Sequence, residues 1–422
     1  MTEPPHPDSP IAGPPRADPP GTGLPHADPS QAGLPPAGAP REELPPAGLP
    51  HVVPSQAGPV RAGFIGGGFM AAVHTRASRA AGGRQVALAS STAARGEQAA
   101  RQLGAERAEP DARGLTAAGD LDIVHVCSPN SLHHEHTLAA LAAGAHVICE
   151  KPLATTAADA GELVRAARAA DRIGAVPFVY RYHPMARQAR ALVADGRIGT
   201  VLTLDAAYLQ DWLLDPGDTN WRADPGAGGA PRAFADIGSH LCDLVEFVSG
   251  QRIHRLAART RTVFGRRGDT EVTNEDTAAL LVELGDGALG TLLVSQLAPG
   301  RKNSLTLELH GTRRSVRFEQ ERPEELWVGG REGSQLLLRD PATAAPDSAR
   351  LSVLPPGHAL GYQDAFTAFV TDVYRAVRGE TPEGMPTFAD GLRAARLTEA
   401  VLASAARQGT WIETPPETED PV

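Results

Sequence analysis

The stretch Val60-Arg61-Ala62-Gly63-Phe64-Ile65-Gly66-Gly67-Gly68-Phe69-Met70-Ala71 reads as a short apolar strand that runs into a glycine turn and then opens a helix. Its core is Gly66-x-Gly68-x-x-Ala71. Gly66 permits the tight turn, Gly68 lets the backbone approach a pyrophosphate, and Ala71 lets helix and strand pack closely. Orphan N–H groups at the helix start would face the phosphates, with Phe69 and Met70 at the same mouth. Outward from this turn, short apolar runs at 60–65, 85–89, 123–127, 146–149 and 175–180 alternate with helical stretches at 70–80, 95–103, 134–142 and 157–170. Short apolar strands alternating with helices imply right-handed crossovers and an α/β fold with a doubly wound parallel sheet. This nucleotide-binding domain is expected over residues 59–180.

Past residue 181 the rhythm changes. A helix at 184–194 leads to a strand at 201–209, a glycine-rich loop and a helix at 237–249, then to strands at 252–263, 277–284, 288–297, 304–310 and 314–319. Asp286-Gly287 between two apolar runs is a hairpin signal. Helices at 363–378 and 390–407 close the chain. The expectation for 181–413 is an α+β domain with a large, mostly antiparallel open sheet. Residues 1–58 hold 17 of the 37 prolines, too many for helix or ladder hydrogen bonding, so they are expected to be a disordered extension, with 414–422 a second flexible end.

A net charge of −10 and a pI near 5.8 argue against a basic face for nucleic acid or anionic membranes. Cys127, Cys149 and Cys242 are widely spaced and odd in number, which fits reduced thiols and no metal cage. With no export signal and no run of about 18 apolar residues, the expected location is the cytoplasm.

At the end of the second strand, where a carboxylate would hold the 2′-hydroxyl of NAD, stand Ser90 and Ser91, with Arg95 close behind. The missing carboxylate and nearby arginine leave NAD and NADP both open, leaning to NADP.

Three further strings carry the chemistry: Ser128-Pro129-Asn130 with His133, then Glu150-Lys151-Pro152, then Asp236-Ile237-Gly238-Ser239-His240 with Asp243. In this order, after the glycine turn, they resemble the Gfo/Idh/MocA oxidoreductase family, over residues 60–413. The resemblance implies hydride transfer between NAD(P) and a secondary alcohol or ketone of a sugar, anhydrosugar or cyclitol. It makes Lys151 the group near nicotinamide and substrate oxygen, Asp236 the substrate-orienting acid and His240 the general acid/base. Ser128, Pro129, Asn130, His133 and Glu150 join the cofactor site. The residue chemistry agrees: a lysine can stabilise a developing alkoxide, and a histidine can take an alcohol proton. Asp236 and His240 are four apart, so on a helix starting near Asp236 they share a side.

Substrate contacts are expected from Arg181 and Tyr182 at the domain junction and from Gln210, Trp212, Trp221 and Arg222, beside Asp236 and His240. Amides and cations pair with hydroxyls while an indole packs on the C–H face of a ring. These strings resemble the levoglucosan dehydrogenase-like subset, as does the stretch around His358. Two alternatives stay open: a redox-neutral NAD-dependent glycoside-cleaving enzyme on the same fold, and a non-catalytic dinucleotide sensor. An open sheet of this kind implies a homodimer or homotetramer.

Overall fold

The computed structural model describes residues 58–218, 220–223 and 229–414. The expectations for the proline-rich extension up to 57, for the centre of the glycine-rich loop at 224–228 and for 415–422 lie outside the described residues.

The first sheet has six parallel strands, β1 (Arg61–Ile65), β2 (Arg84–Ala89), β3 (Arg107–Ala108), β4 (Ile123–Val126), β5 (His146–Cys149) and β6 (Gly174–Ala175), in the order β3-β2-β1-β4-β5-β6. Helices α1 (Phe69–Ala80), α2 (Ala93–Leu103), α3 (Ala112–Ala117), α4 (His133–Ala142) and α5 (Ala157–Ala169) connect them. The strand order reverses between β1 and β4, which puts the glycine turn at the switch point where such sheets bind ligands. Successive residues point to opposite faces, so Ala62 and Phe64 pack with α1 while Ile65 joins the core on the other face.

The expected strand at 175–180 is the one element here that fails. Only Gly174–Ala175 pair; Pro177 has no N–H to give a ladder, Phe178 N–H turns back to Val176 O, and Val179–Tyr182 form a 3₁₀ turn.

The second sheet follows α6 (Pro184–Ala194). Its strands are β7 (Val201–Leu209), β8 (Ile253–Arg261), β11 (Thr277–Leu284), β12 (Leu289–Ser295), β13 (Ser304–Gly311), β14 (Ser315–Glu319), β15 (Glu325–Gly330), β16 (Gly333–Leu338) and β17 (Ile412–Glu413), while β9 (Arg266–Arg267) and β10 (Thr270–Glu271) form a separate small ribbon. All its pairs are antiparallel except β7 with β12. Gly287, at φ +83°, turns the expected hairpin between β11 and β12. Alternate residues such as Leu204, Ala206 and Tyr208 bury one face against α6 and α7 (Ser239–Ser249). The other face stays open, with Leu281, Leu289 and Leu293 between 42% and 54% exposed.

After a short helix α8 (Pro346–Ala349), the last two helices return to the first sheet. Phe366, Phe369 and Tyr374 of α9 (Tyr362–Val377) pack with Phe64 and Val73, and Leu392 of α10 (Phe388–Ala406) packs with Leu153 and Leu163. The chain's end therefore completes the core of its beginning. Among the described residues no helix is long and apolar enough to cross a membrane.

Candidate active site

Gly66 stands at φ +122°, its N–H bonded to Ala89 O at 2.8 Å, and a Cβ there would lie 2.5 Å from the Cys127 carbonyl oxygen. Only glycine fits. Gly68 caps α1 in an extended conformation with no side-chain cap, and a Cβ on it would meet nothing within 4 Å. An uncapped helix start with no acidic residue in its first turn and open space before it fits a dinucleotide pyrophosphate. Phe69 is 74% exposed at this mouth and Met70 is half-buried beside it. Sequence reasoning passed over Gly67, whose Cβ would come within 2.9 Å of Ala99 and 3.1 Å of the Ser90 hydroxyl.

Thr92 caps α2 by accepting from Arg95 N–H at 3.3 Å, which turns the Arg95 side chain back over the β2 end, where Nη1 donates to Ser91 Oγ at 3.2 Å. Arg95 and Ser91 are exposed there and Ser90 is half-buried. Pro129 and Asn130 follow β4 in a short 3₁₀ turn beginning at Asn130. His133 departs from its expected place. It is buried, with ring nitrogens 2.9 Å from Ser128 O and 2.7 Å from Pro152 O, so it ties the two segments together instead of facing a ligand.

Lys151 leaves the end of β5 and places Nζ 2.7 Å from Asp236 Oδ1 and 3.0 Å from Asp236 O. Arg222 Nε lies 3.2 Å from the same Oδ1, and Gln296, at the end of β12, donates to Oδ2 at 3.0 Å. Burial pushes the Asp236 carboxyl up, but the neighbouring Lys151 and Arg222 charges outweigh it and hold the group at about 2. His240 is pushed down to about 3, first by burial and then by the Lys151 charge. Its ring meets Tyr180 edge-on at 5.0 Å and Phe178 at 5.7 Å, and its Nδ1 is buried without a hydrogen-bond partner among the described residues. Glu150 turns inward: Oε1 lies 3.0 Å from His74 Nε2, and Oε2 accepts from Lys151 N–H at 3.1 Å.

Asp236 is not a helix cap. It lies inside a π-helical turn, Phe234–Gly238, that leads without a break into α7. Gly238 is required because a Cβ there would lie 2.4 Å from the Phe234 ring. The start of this turn is capped from another segment: Glu275 takes the N–H groups of Arg232 and Phe234 on its carboxylate at 2.9–3.1 Å and that of Ala233 on its carbonyl at 3.1 Å. Glu275 precedes a strand and carries no motif, so nothing in the sequence marked it.

Arg181 and Tyr182 are corrections. The Arg181 guanidinium is buried, bidentate on Asp243 and also 2.8 Å from Asp390. A cation so enclosed braces α7 against α10 instead of meeting a substrate. Tyr182 is 1% exposed, packed on Phe369 and under the Arg187 guanidinium. Trp212 Nε1 donates to Gln210 Oε1 at 2.8 Å, and Gln210 donates to Asn303 Oδ1, also at 2.8 Å. Asn303 also takes the Tyr208 hydroxyl at 2.7 Å and gives its Nδ2–H to Tyr180 at 3.2 Å. Arg222 covers the Trp221 ring at 4.5 Å. His358 is exposed in a loop whose carbonyl is held by Arg339.

Two family models match: an oxidoreductase family NAD-binding Rossmann fold over residues 60–178 and a GFO/IDH/MocA C-terminal domain over 186–317. The chain is similar to levoglucosan dehydrogenase of Pseudarthrobacter phenanthrenivorans, 30% identical over 84% of this chain and 97% of that one. A solved levoglucosan dehydrogenase in complex with NADH and L-sorbose superposes with a TM-score of 0.80 at 29% identity, covering 86% of this chain and all of the other. An inositol dehydrogenase homolog from Azotobacter vinelandii, complexed with NADH and myo-inositol, gives 0.75 at 28% identity over 85% and 98%.

Proposed function

The chain belongs to the GFO/IDH/MocA oxidoreductase family and is an NAD(P)-dependent oxidoreductase of sugar-type secondary alcohols, and we propose that Lys151, Asp236 and His240 perform the reaction. The observation that carries the assignment is the Lys151–Asp236 pair at 2.7 Å with the His240 ring close enough to feel both charges. Gly66, Gly68 and the start of α1 would hold the dinucleotide, which would supply the hydride acceptor. Lys151 then stabilises the oxygen that gains negative charge, and a fixed ammonium in a dry cleft is worth far more there than in water. His240, neutral because burial and the Lys151 charge keep it so, can take the hydroxyl proton on a ring nitrogen. Asp236, ionised throughout the neutral range, orients the hydroxyl and keeps Lys151 in place. Gln210, Trp212, Trp221 and Arg222 form the substrate wall, with hydroxyl partners beside aromatic faces.

Several finer points rest on the same reading. The division into nucleotide and substrate halves falls near residue 180, although α9 and α10 return across it. Arg95 over an end of β2 without a carboxylate favours the 2′-phosphate of NADP over NAD. The open sheet face suits a second copy of the chain: burying the exposed half of each leucine is worth about 1 kcal/mol, and a two-fold pairing would bury Leu281, Leu289 and Leu293 twice. Leu293→Asp should convert such an oligomer to monomer in light scattering, and an unchanged mass would remove this face from the interface. The cytoplasm is the compartment proposed.

Absorbance of the reduced nicotinamide tests the function, with NAD and NADP each offered against sugars, anhydrosugars and inositols. Net reduction with one polyol supports the dehydrogenase. Tight dinucleotide binding with no net turnover across the panel would favour the redox-neutral glycoside route instead.

A further inference from the structure

Behind Glu150 runs a row of buried polar groups that the reaction above does not use. His74 Nε2 is 3.0 Å from Glu150 Oε1, His74 Nδ1 is 2.9 Å from His125 Nδ1, and His125 Nε2 is 3.0 Å from the Tyr374 hydroxyl. That hydroxyl donates to Ser78 Oγ at 2.7 Å, and Ser78 Oγ also accepts from Gln85 Nε2 at 3.1 Å. His74, His125, Ser78 and Tyr374 are wholly buried, where every contact needs one donor and one acceptor.

The protons can be counted from the closed end. Tyr374 gives its hydrogen to Ser78, so its oxygen accepts from His125 Nε2–H. A neutral His125 then has a bare Nδ1, which accepts from His74 Nδ1–H. His74 Nε2 faces a carboxylate and donates there as well. His74 therefore carries a proton on both nitrogens. Removing one proton reverses the row: His74 keeps only Nε2–H, His125 moves its hydrogen to Nδ1, Tyr374 donates to His125 and Ser78 donates to Tyr374. The two arrangements differ by one proton and need no movement of heavy atoms. The electrostatics agree with the first. Burial and the His74 charge push His125 well down, which keeps it neutral, and Glu150, raised by burial, is brought below its ordinary range by His74 and Lys151.

We propose that His74 and His125 are positioning residues that hold one shared proton behind Glu150 and so fix the charge and orientation of this inward-turned carboxylate beneath the dinucleotide site. The proposal rests on Glu150 and Lys151 serving the cofactor. Glu150 is faced by His74 of α1, Lys151 beside it, His133 of α4, His240 of α7, Cys127 after β4 and Tyr362 of α9. From α9 the uncharged Phe366 ring lies against His74. With the proton present, Glu150 is neutralised from behind. Without it, an uncompensated carboxylate favours the cationic oxidised nicotinamide over the neutral reduced one.

The test needs no substrate. Nitrogen-15 NMR of the full chain labelled at histidine, assigned with His74→Gln and His125→Gln, should show His74 protonated at both nitrogens at neutral pH and His125 carrying only Nε2–H. Either neutral form of His74, or His125 with its hydrogen on Nδ1, overturns the proposal. In His74→Gln, whose amide can donate to Glu150 without bringing charge, the ratio of dissociation constants for reduced and oxidised dinucleotide should shift by roughly ten-fold toward the oxidised form. An unchanged ratio in a variant of wild-type melting temperature also overturns it. If the spectra are as expected while the sugar panel stays silent, the substrate class is wrong and the proton row stands.

Discussion

At the scale of single residues, the glycine turn separates two demands that one motif merges. A Cβ on Gly66 would strike the Cys127 carbonyl at 2.5 Å in a backbone conformation at φ +122°, whereas a Cβ on Gly68 meets nothing. Gly66→Ala should therefore lower the melting temperature, by the roughly 1–3 kcal/mol of a strained backbone site. Gly68→Val should leave stability nearly unchanged and weaken dinucleotide binding. Equal losses of stability in both would show that Gly68 is a packing glycine only. Lys151→Ala belongs to the same scale. It should cut kcat by about 10²–10³, the size of one lost charge-stabilising donor, with dinucleotide affinity retained. A wild-type rate would remove Lys151 from the chemistry. Each of these residues stands in a contiguous string, which is why the sequence exposed them. Gln296, Asn303 and Tyr180 stayed hidden as site groups because they reach the site from separate strands and turns, and a linear pattern holds no such register.

Elements show where local pattern fails. The helical period that places Asp236 and His240 on one side is right about their neighbourhood and wrong about how it arises, since a π-helical turn, not a helix cap, carries Asp236. No propensity scale sees such a turn; it depends on Gly238 yielding to the Phe234 ring and on Glu275, forty residues downstream, taking N–H groups at its start. Glu275→Ala should leave those buried donors unpaired and cost about 1–3 kcal/mol, with a fall in kcat larger than any rise in sugar KM because Asp236 and His240 lose their mutual placement. If only stability fell and kcat held, the cap would serve the fold and not the site. The lost strand at 175–180 has a similar origin, since its apolar content reads as a strand while Pro177 withholds the ladder hydrogen. Arg181 and Tyr182, just beyond it, stand at a junction, a position that suggests ligand contact; junctions are also where buried ion pairs brace helices, and Asp243 and Asp390 claim the arginine.

The whole molecule carries its buried histidines as a stability profile. His183 is held at about 4 by burial, with Nε2 unpaired, and His240 at about 3 by burial and then Lys151. Both lie below the unfolded value near 6.5, so between that value and their folded values the unfolded chain binds more protons, and stability falls as the pH falls. His125 and His133 are displaced the same way by burial. Asp236, held at about 2, adds a loss of the same sign in a lower window, beginning near the ordinary aspartate value of about 4. Among the described residues two carboxyls oppose them: Asp243, pushed up to about 6 by burial against the pull of Arg181, and Glu275, pushed up by burial, take up their protons in the folded chain first and return stability as the pH falls toward their ordinary values. Four histidines and Asp236 against two carboxyls leave a net loss, at about 1.4 kcal/mol per displaced pH unit per group. The melting temperature of the chain should fall steadily from pH 7 to pH 4. His183→Phe keeps an aromatic ring beside Tyr180 and removes one titrating group, so it should flatten that slope by the equivalent of about 3 kcal/mol. A melting temperature constant or rising over this range would mean that the histidines gain partners or water before they titrate, and a slope unchanged in His183→Phe would remove His183 from the groups that carry the acid loss.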